Sequence, residues 1–219
     1  FPSADSVLNR KILEDDKIQL ILASTNNAKY ISEKLISAIN SIKYDSNLMP
    51  AEWYYNKYAV GSHYEDKDTL FIKRMLQLKL PPNIRKSICA NLFDEFTDTD
   101  EKNLANILYM NRNQLIEMQS IGQHIGGHGY KHKWMSKLTS TETEEEVANT
   151  STMLNTIKAP PYYRTFSFPH GDYNEKTIQC LRKHNFKMAF TAKQMKANLT
   201  EQEIMSLPRL YPPCKPPLK

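Results

Sequence analysis

Apolar residues recur every three or four positions through much of the first half of the chain. The apolar positions within residues 18–22 and 35–42 keep this spacing, which is typical of helices that bury one face. The amphipathic stretch 69–80 stops before two prolines, and a residue that precedes proline disfavours helical backbone angles. Residues 7–122 are therefore predicted to be mostly helical.

The pattern changes after residue 122, where short apolar runs alternate with amphipathic stretches. The predicted strands cover residues 123–127, 165–168, 187–191 and 207–210. The predicted helices are residues 139–158 and a second helix that is capped by Asp172 or Asn174 and runs to about residue 184. The sequence Thr-Ser-Thr-Glu at 139–142 is a capping box, and Thr-Glu-Gln-Glu at 200–203 is a second one. Strands that alternate with helices predict βα units and a parallel sheet.

Two histidines stand four residues apart in the stretch 126–132, which reads Gly-Gly-His-Gly-Tyr-Lys-His. This spacing puts the rings of His128 and His132 on one side of a tight turn or of a first helical turn. Two imidazoles so placed supply half of a zinc site, and the glycines allow the loop to bend. Spacing alone favours a metal site and a pair of surface histidines about equally, because short motifs also match by chance.

A second stretch, residues 166–174, reads Phe-Ser-Phe-Pro-His-Gly-Asp-Tyr-Asn and ends in a Pro-x-Gly turn before a helix start. Together the two stretches resemble the polysaccharide deacetylase family, also described as the NodB-homology or carbohydrate esterase 4 group. In that family a His-Ser/Thr-x-x-His metal motif precedes an Arg-x-Pro-Tyr-Gly motif at the end of a strand. Here the motifs read His-Gly-Tyr-Lys-His at 128–132 and Ser-Phe-Pro-His-Gly at 167–171.

The resemblance implies an α/β fold, a partial and distorted (β/α) barrel of the NodB type with a large helical insertion. The whole chain, 1–219, would form one deacetylase-like domain, with a helical insert at 7–122 and the barrel part at 123–219. Phe1-Pro2-Ser3 resembles the end of a strand. The sequence is therefore expected to begin after the family's first strand, which carries an Asp-Asp-Gly motif.

The same resemblance implies a metal-dependent hydrolase that removes N- or O-acetyl groups from an acetylated polysaccharide or amino sugar, the N-acetyl bond being a non-peptide carbon–nitrogen bond. His128 and His132 would be metal ligands, with zinc as the expected ion and cobalt or nickel as the other candidates. Such an ion polarises the acetyl carbonyl and lowers the pKa of its bound water. Pro169, His170 and Gly171 would form the substrate-binding turn, and the backbone N–H of His170 would stabilise the oxyanion.

Several positions depart from the family pattern. Ser167 stands where many members have an arginine, and Arg209 is the candidate replacement. His170 replaces the usual tyrosine, and its side chain is the candidate general acid. The chain's one Asp-Asp pair, Asp15-Asp16, is followed by no glycine. It is predicted to be a solvated helix start rather than a displaced catalytic pair.

These departures leave a function of a different class open, a non-catalytic remnant that binds carbohydrate or metal. Without an Asp-Asp-Gly motif, the chain alone is predicted to be inactive. A zinc protease is excluded, because its His-Glu-x-x-His helix needs a glutamate where this chain has Gly129. His124 is predicted to be a strand histidine and His184 a solvent-exposed helix residue, both outside the site.

The amino-acid composition mainly argues against certain classes of partner and location. The chain is 40% apolar and 24% charged, which is ordinary for a globular protein, and its net charge of +5 is spread among alternating signs. No nucleic-acid partner is therefore predicted. An apolar run of eighteen or more residues is absent from the sequence, so no membrane span is expected.

The cysteines argue for a reducing compartment. Cys89, Cys180 and Cys214 are far apart and form no Cys-x-x-Cys motif, which disfavours a cysteine metal site and a disulfide framework. This predicts a cytoplasmic protein. A signal peptide ahead of Phe1 stays open, since the family's first strand is expected there too.

Overall fold

The chain divides into two compact units. The computed structural model describes residues 1–46, 48–198 and 204–210. Residues 12–101 form one unit, called the helical unit here. Residues 1–11 and 102–219 form the other, called the βα unit, of which the structure describes 1–11, 102–198 and 204–210.

The described residues form the following regular elements. The helices are α1 (Ala4–Leu8), α2 (Glu14–Ala23), α3 (Ala28–Ser46), α4 (Ala51–Tyr58), α5 (Lys67–Arg74), α6 (Pro82–Phe96), α7 (Glu101–Leu108), α8 (Arg112–Ser120), α9 (Ser140–Thr156) and α10 (Glu175–Lys183). The strands are β1 (Thr165–Ser167), β2 (Met188–Gln194) and β3 (Leu207–Arg209). Of these helices, none has the length and apolar character that crossing a membrane would require.

The helical unit contains α2 to α6, packed around aliphatic and aromatic side chains. Ile18, Leu35 and Phe71 are fully buried within it. α5 begins after Asp66, whose carboxylate accepts hydrogen bonds from the backbone N–H groups of the next turn. The predicted amphipathic stretch 69–80 is therefore helical, and it ends in a π-helical turn ahead of the two prolines.

The Asp-Asp pair lies at a helix start, as predicted. Asp15 and Asp16 occupy the first turn of α2, where negative charge is favoured by the helix dipole. The predicted solvation of this helix start is partial, because both side chains are half-buried. Asp15 Oδ1 accepts a hydrogen bond from Gln77 Nε2 at 3.0 Å, within the helical unit.

The βα unit contains a three-stranded sheet in the order β1-β2-β3. Both pairings are parallel: Ser167 lies opposite Phe190, and Phe190 in turn lies opposite Leu207. Parallel pairing was the prediction for these segments, and it is confirmed. The (β/α) barrel stays a prediction, because the strands of the described residues form this sheet and no closed one.

The predicted strand at 123–127 is wrong. The described backbone there makes a single parallel bridge, between Gly127 and Phe166. Gly127 N–H donates to the Thr165 carbonyl, and Ser167 N–H donates to the Gly127 carbonyl, both at 2.9 Å. Glycine weakens a strand because it supplies no side chain to pack. Close neighbours fill the space instead: a Cβ on Gly127 would lie 2.3 Å from Thr150 Cγ2.

Polar side chains fix where the helices of the βα unit begin. Thr139 Oγ1 accepts from Glu142 N–H at 3.2 Å, and Glu142 Oε2 accepts from Thr139 N–H at 2.9 Å, so the predicted capping box of α9 is confirmed. Asn174 caps α10 in the same way. The second predicted box at 200–203 and the C-terminal residues 211–219 lie outside the described residues.

Candidate functional site

The two histidines of the loop 128–132 face each other in the βα unit. Their Nε2 atoms are 3.1 Å apart, and their ring centroids are 4.8 Å apart. The segment is a turn rather than a helix start, since Gly129 and His132 both have positive φ angles, 75° and 57°. The glycine that bends the loop is thus Gly129, and not the Gly126-Gly127 pair that precedes it.

The ring of His128 is held in one orientation by the end of β1. Its Nδ1 lies 2.7 Å from the Ser167 carbonyl oxygen, which can only accept a hydrogen bond, so Nδ1 carries the proton. Burial, assisted by the neighbouring charges of His132 and Arg209, lowers the pKa of His128 to about 4. At neutral pH its Nε2 therefore presents a lone pair towards His132.

A buried carboxylate holds the backbone of the histidine loop. Glu146 on α9 is 2% exposed, and its Oε2 accepts hydrogen bonds from the N–H groups of Tyr130 and Lys131 at 2.8 and 2.9 Å. Burial raises the pKa of Glu146, while these two donors act in the opposite direction. A Cβ on Gly129 would lie 3.2 Å from the same oxygen, so the loop fits closely around the carboxylate.

The N-terminal residues contact the same loop from their own backbone. Ala4 N–H donates to the Gly129 carbonyl at 3.0 Å, and Asp5 N–H donates to the Tyr130 carbonyl at 2.9 Å. Ser3 Oγ donates to the His128 carbonyl at 3.2 Å. The histidine loop is thereby fixed by α1 and α9 together.

The predicted Pro-His-Gly turn directly follows β1 and brings a third imidazole to the site. His170 has φ 57° and Gly171 has φ 70°, so the chain reverses here through two left-handed residues. A Cβ on Gly171 would lie 2.5 Å from Ala192 Cβ, which leaves room for glycine alone. The His170 ring stacks on Trp134 at a 4.1 Å centroid distance and stands edge-on to His132 at 4.6 Å.

The Pro-His-Gly turn is held in place by hydrogen bonds to Asp172, the residue that follows it. Pro169 is buried, and its carbonyl accepts from Asp172 N–H at 3.0 Å. The Asp172 carboxylate accepts from the backbone N–H and the hydroxyl of Ser136, at 2.7 and 2.8 Å. Asp172 therefore ties the turn to the segment after the histidine loop, whereas the helix cap belongs to Asn174.

Arg209 reaches the position where the family has an arginine. Its Nη2 donates to Ser167 Oγ at 2.9 Å, from the end of β3. The guanidinium carbon lies 5.1 Å from the ring centre of Phe190 and 5.2 Å from that of Phe1, within the range of cation–π contacts. The structure thus brings together every residue that the sequence nominated: His128, His132, Pro169, His170, Gly171 and Arg209.

Sequence reasoning missed two contributors, Glu146 and Trp134. A signal for Glu146 was present, since it falls on the buried stripe of α9 between Thr143 and Thr150. A glutamate in such a stripe needs partners, which marks it as functional or structural. For Trp134 no sequence pattern indicated that its ring would meet His170.

Two other histidines lie away from this group. His124 is exposed, and its Nε2 lies 2.9 Å from Thr165 Oγ1, although it belongs to no strand. The prediction that His184 is solvent-exposed is wrong. Its side chain is 20% exposed, and its Nε2 lies 2.7 Å from Glu144 Oε1.

Comparison with known proteins agrees with these motifs. Residues 86–189 match the family model described as polysaccharide deacetylase, a range that includes the histidine loop and the Pro-His-Gly turn. This part of the chain is similar to polysaccharide deacetylases, in agreement with the resemblance of its motifs. The matched range ends before Arg209.

Among solved structures, the chain is similar to a Streptococcus pyogenes deacetylase, PplD, in complex with acetate. The identity is 15% with a TM-score of 0.43, over 82% of this chain and 80% of that one. Curated protein sequences give no match.

Proposed function

We propose that this chain belongs to the polysaccharide deacetylase family and is a metal-dependent hydrolase that removes N- or O-acetyl groups from a polysaccharide or amino-sugar substrate. The observation that carries the proposal is the 3.1 Å separation of the Nε2 atoms of His128 and His132. The family match supports it, because the matched range contains both histidines and the turn beside them.

The two imidazoles fit a divalent ion. Zinc–nitrogen bonds of roughly 2.0–2.1 Å at a tetrahedral angle require ligand nitrogens about 3.3 Å apart. The observed separation is 3.1 Å, so little movement is needed. His128 also donates its other ring N–H to a backbone carbonyl, the outer contact usual for a metal-binding histidine. When bound, such an ion polarises the acetyl carbonyl and lowers the pKa of its water.

The turn 169–171 is the proposed receiver of the acetyl group. The backbone N–H of His170 is the proposed donor to the oxygen that gains negative charge in the transition state. The ring of His170 is the proposed general acid, which protonates the leaving nitrogen or oxygen of the sugar. Its stacking on Trp134 supports this role, because the stack fixes the ring beside His132.

Arg209 is the proposed replacement for the arginine of the family motif. That arginine pairs with the catalytic base, so its substitute needs to reach the same place. The hydrogen bond to Ser167 Oγ puts the guanidinium beside the substituted position. In this proposal Arg209 would orient the carboxylate base.

A binding protein without catalysis is the second candidate. It is favoured by one observation, the absence of an Asp-Asp-Gly motif from the 219 residues. A general base typically contributes about 10²–10⁴-fold in rate. We therefore propose that this chain alone releases no measurable acetate, and that a protein which also carries such a motif does.

Zinc titration by calorimetry tests the metal site. His128→Ala and His132→Ala should each weaken zinc binding at this site at least tenfold. His63→Ala, an exposed loop residue of the helical unit, is the matched control and should bind as the parent does. Unchanged zinc affinity in both His128→Ala and His132→Ala would show that these histidines are not the metal ligands. Asp15→Asn and Asp16→Asn test the rival source of a carboxylate, because loss of affinity in either would show that the Asp-Asp pair serves the site.

Acetate release tests the activity. Oligomers of N-acetylglucosamine and a simple acetyl ester would be incubated with this chain and with a form extended by an Asp-Asp-Gly strand. We expect release by the extended form alone, abolished by His132→Ala and by chelation of the metal. Sugar binding without release by the extended form would establish the binding protein instead.

A further inference from the structure

A second cluster of metal-binding side chains lies between α9 and α10. Glu144 projects from α9, while Cys180 and His184 stand four residues apart at the end of α10. One ligand atom from each of the three lies within 4.8 Å of the other two. Cys180 is half-buried, the His184 side chain is 20% exposed, and the Glu144 side chain is 41% exposed.

Each of the other two side chains contacts a different oxygen of the Glu144 carboxylate. His184 Nε2 lies 2.7 Å from Glu144 Oε1, and Cys180 Sγ lies 3.4 Å from Glu144 Oε2. Zinc bonds of roughly 2.3 Å to sulfur and 2.0–2.2 Å to nitrogen or oxygen separate neighbouring ligands by about 3.3–3.6 Å. The sulfur–oxygen distance already fits, and the histidine needs to move by about 0.6 Å, which a side-chain rotation supplies.

We infer that Glu144, Cys180 and His184 form a second divalent-metal site, selective for zinc-like ions and separate from the pair His128 and His132. A mixed sulfur, nitrogen and oxygen ligand set favours borderline-soft ions such as Zn²⁺ and Co²⁺ over Mg²⁺ or Ca²⁺. Three protein ligands leave a fourth position for water, as in open zinc sites.

The polar contacts of the cluster are compatible with a bound cation. The Cys180 thiol donates to Glu144, so an ion would take the place of that proton and bind the thiolate. Lys183 Nζ lies 3.1 Å from Glu144 Oε1, but the lysine side chain is 69% exposed and can turn into solvent.

The position of the cluster suggests what the ion would do. Glu144 lies two residues before Glu146, which holds the histidine loop. α10 begins shortly after the Pro-His-Gly turn. An ion shared by the two helices would therefore fix the two segments that carry the candidate active site relative to each other.

Cobalt spectroscopy tests the site without reference to activity. A cobalt–thiolate bond gives a near-ultraviolet charge-transfer band that imidazole ligands do not produce. We expect this band when Co²⁺ is added to the chain, and we expect it to be absent from Cys180→Ser. In His184→Ala the apparent affinity for Co²⁺, read from the growth of the band, should fall at least tenfold. His184→Gln, which preserves most of the side-chain volume, is the second variant in case His184→Ala unfolds.

Four control variants distinguish this site from the other candidate ligands of the chain. Cys89→Ser and Cys214→Ser should keep the band, as should His132→Ala, which removes the proposed catalytic metal site alone. Lys183→Ala should keep or strengthen it, because it removes the competing cation. Absence of the band in the parent chain, or its persistence in Cys180→Ser, would show that the cluster is only an ion-pair network. Neither result would bear on acetate release.

Discussion

The two units of the chain bury different kinds of side chain. In the described residues of the helical unit, Ser32 and Asp68 are the buried polar residues in an otherwise apolar interior. The βα unit buries many more, and they gather around the histidine loop, the Pro-His-Gly turn and α9. They are Ser3, Asp5, Ser6, Thr143, Glu146, Thr150, Ser151, Ser167, Thr177 and Thr191.

The unit that buries more polar side chains is the one that contains the candidate site. Burying a polar group costs free energy unless its hydrogen bonds are satisfied, so a buried polar group without such bonds lowers the stability of the fold. In the βα unit two of the buried polar groups are satisfied within the candidate site, since Glu146 accepts hydrogen bonds from the histidine loop and the Ser167 hydroxyl accepts one from Arg209. The helical unit follows the simpler rule of apolar faces packed together. Substitutions of buried residues in the helical unit should therefore lower stability alone, whereas those in the βα unit should also lower zinc affinity.

The largest effect is expected from Glu146→Ala. The substitution leaves the N–H groups of Tyr130 and Lys131 without the buried carboxylate that accepts from them, and each unsatisfied group costs about 1–3 kcal/mol. We expect the free energy of unfolding to fall by about 3–4 kcal/mol. Zinc affinity should fall with it, because the loop that carries His128 and His132 loses its support. Urea denaturation and calorimetry measure the two quantities.

Two variants sharpen this result. Glu145→Ala changes the exposed neighbour and should leave both stability and zinc affinity within error of the parent. Glu146→Gln keeps an oxygen acceptor, so it should retain most of the zinc affinity. A Glu146→Ala protein with normal zinc affinity would show that the carboxylate is a structural group of α9 and has no part in positioning the histidines.

The next effect concerns pH and His128. Burial holds the pKa of His128 at about 4 in the folded chain, against an ordinary value of 6.5. Between those values the unfolded chain binds a proton that the folded chain does not, so falling pH favours unfolding. The contribution of the neutral His128 ring to the free energy of unfolding is fully present above about pH 6.5 and is lost as the pH falls to about 4. It amounts to roughly 3 kcal/mol.

Denaturation curves of metal-free protein at several pH values between 4 and 7 measure this contribution. The free energy of unfolding is compared between the parent and His128→Gln at each pH, because the contributions of the other titrating groups are the same in both and cancel in the difference. His63→Ala, whose ring is exposed, should keep the slope of the parent. Equal slopes in the parent and His128→Gln would mean that the buried ring does not titrate as described.

Much of the βα unit could be predicted because its signals are local. The capping residues Thr139 and Asn174, the parallel strands and the metal-motif spacing all follow from short patterns that the structure preserves. The predicted strand 123–127 is wrong because Gly127 alone pairs, through one bridge, and side chains of other segments fill the space beside the two glycines. Alternation alone cannot distinguish a strand from such a bridge.

The contacts that sequence reasoning missed are those between distant segments. Glu146 meets the loop sixteen residues earlier, and His184 meets Glu144 across forty residues. Neither partner is indicated by spacing, because each contact depends on how the helices pack. Arg209 was nominated from the family pattern, and its hydrogen bond to Ser167 became visible only in the structure.

The smallest effect is expected at the helix caps, where the two units should behave alike. Asp66 caps α5 in the helical unit, and Thr139 caps α9 in the βα unit. Replacing either by alanine removes an acceptor for backbone N–H groups of one turn, which costs about 1 kcal/mol. Asp98→Ala and Ser140→Ala, at exposed positions that do not serve as caps, are the controls and should change stability by less than about 0.5 kcal/mol. Because a cap acts within its own helix, zinc affinity should not change in Thr139→Ala. A tenfold loss of zinc affinity there would show that the start of α9 is part of the site, and that the difference between the units extends to their most local interactions.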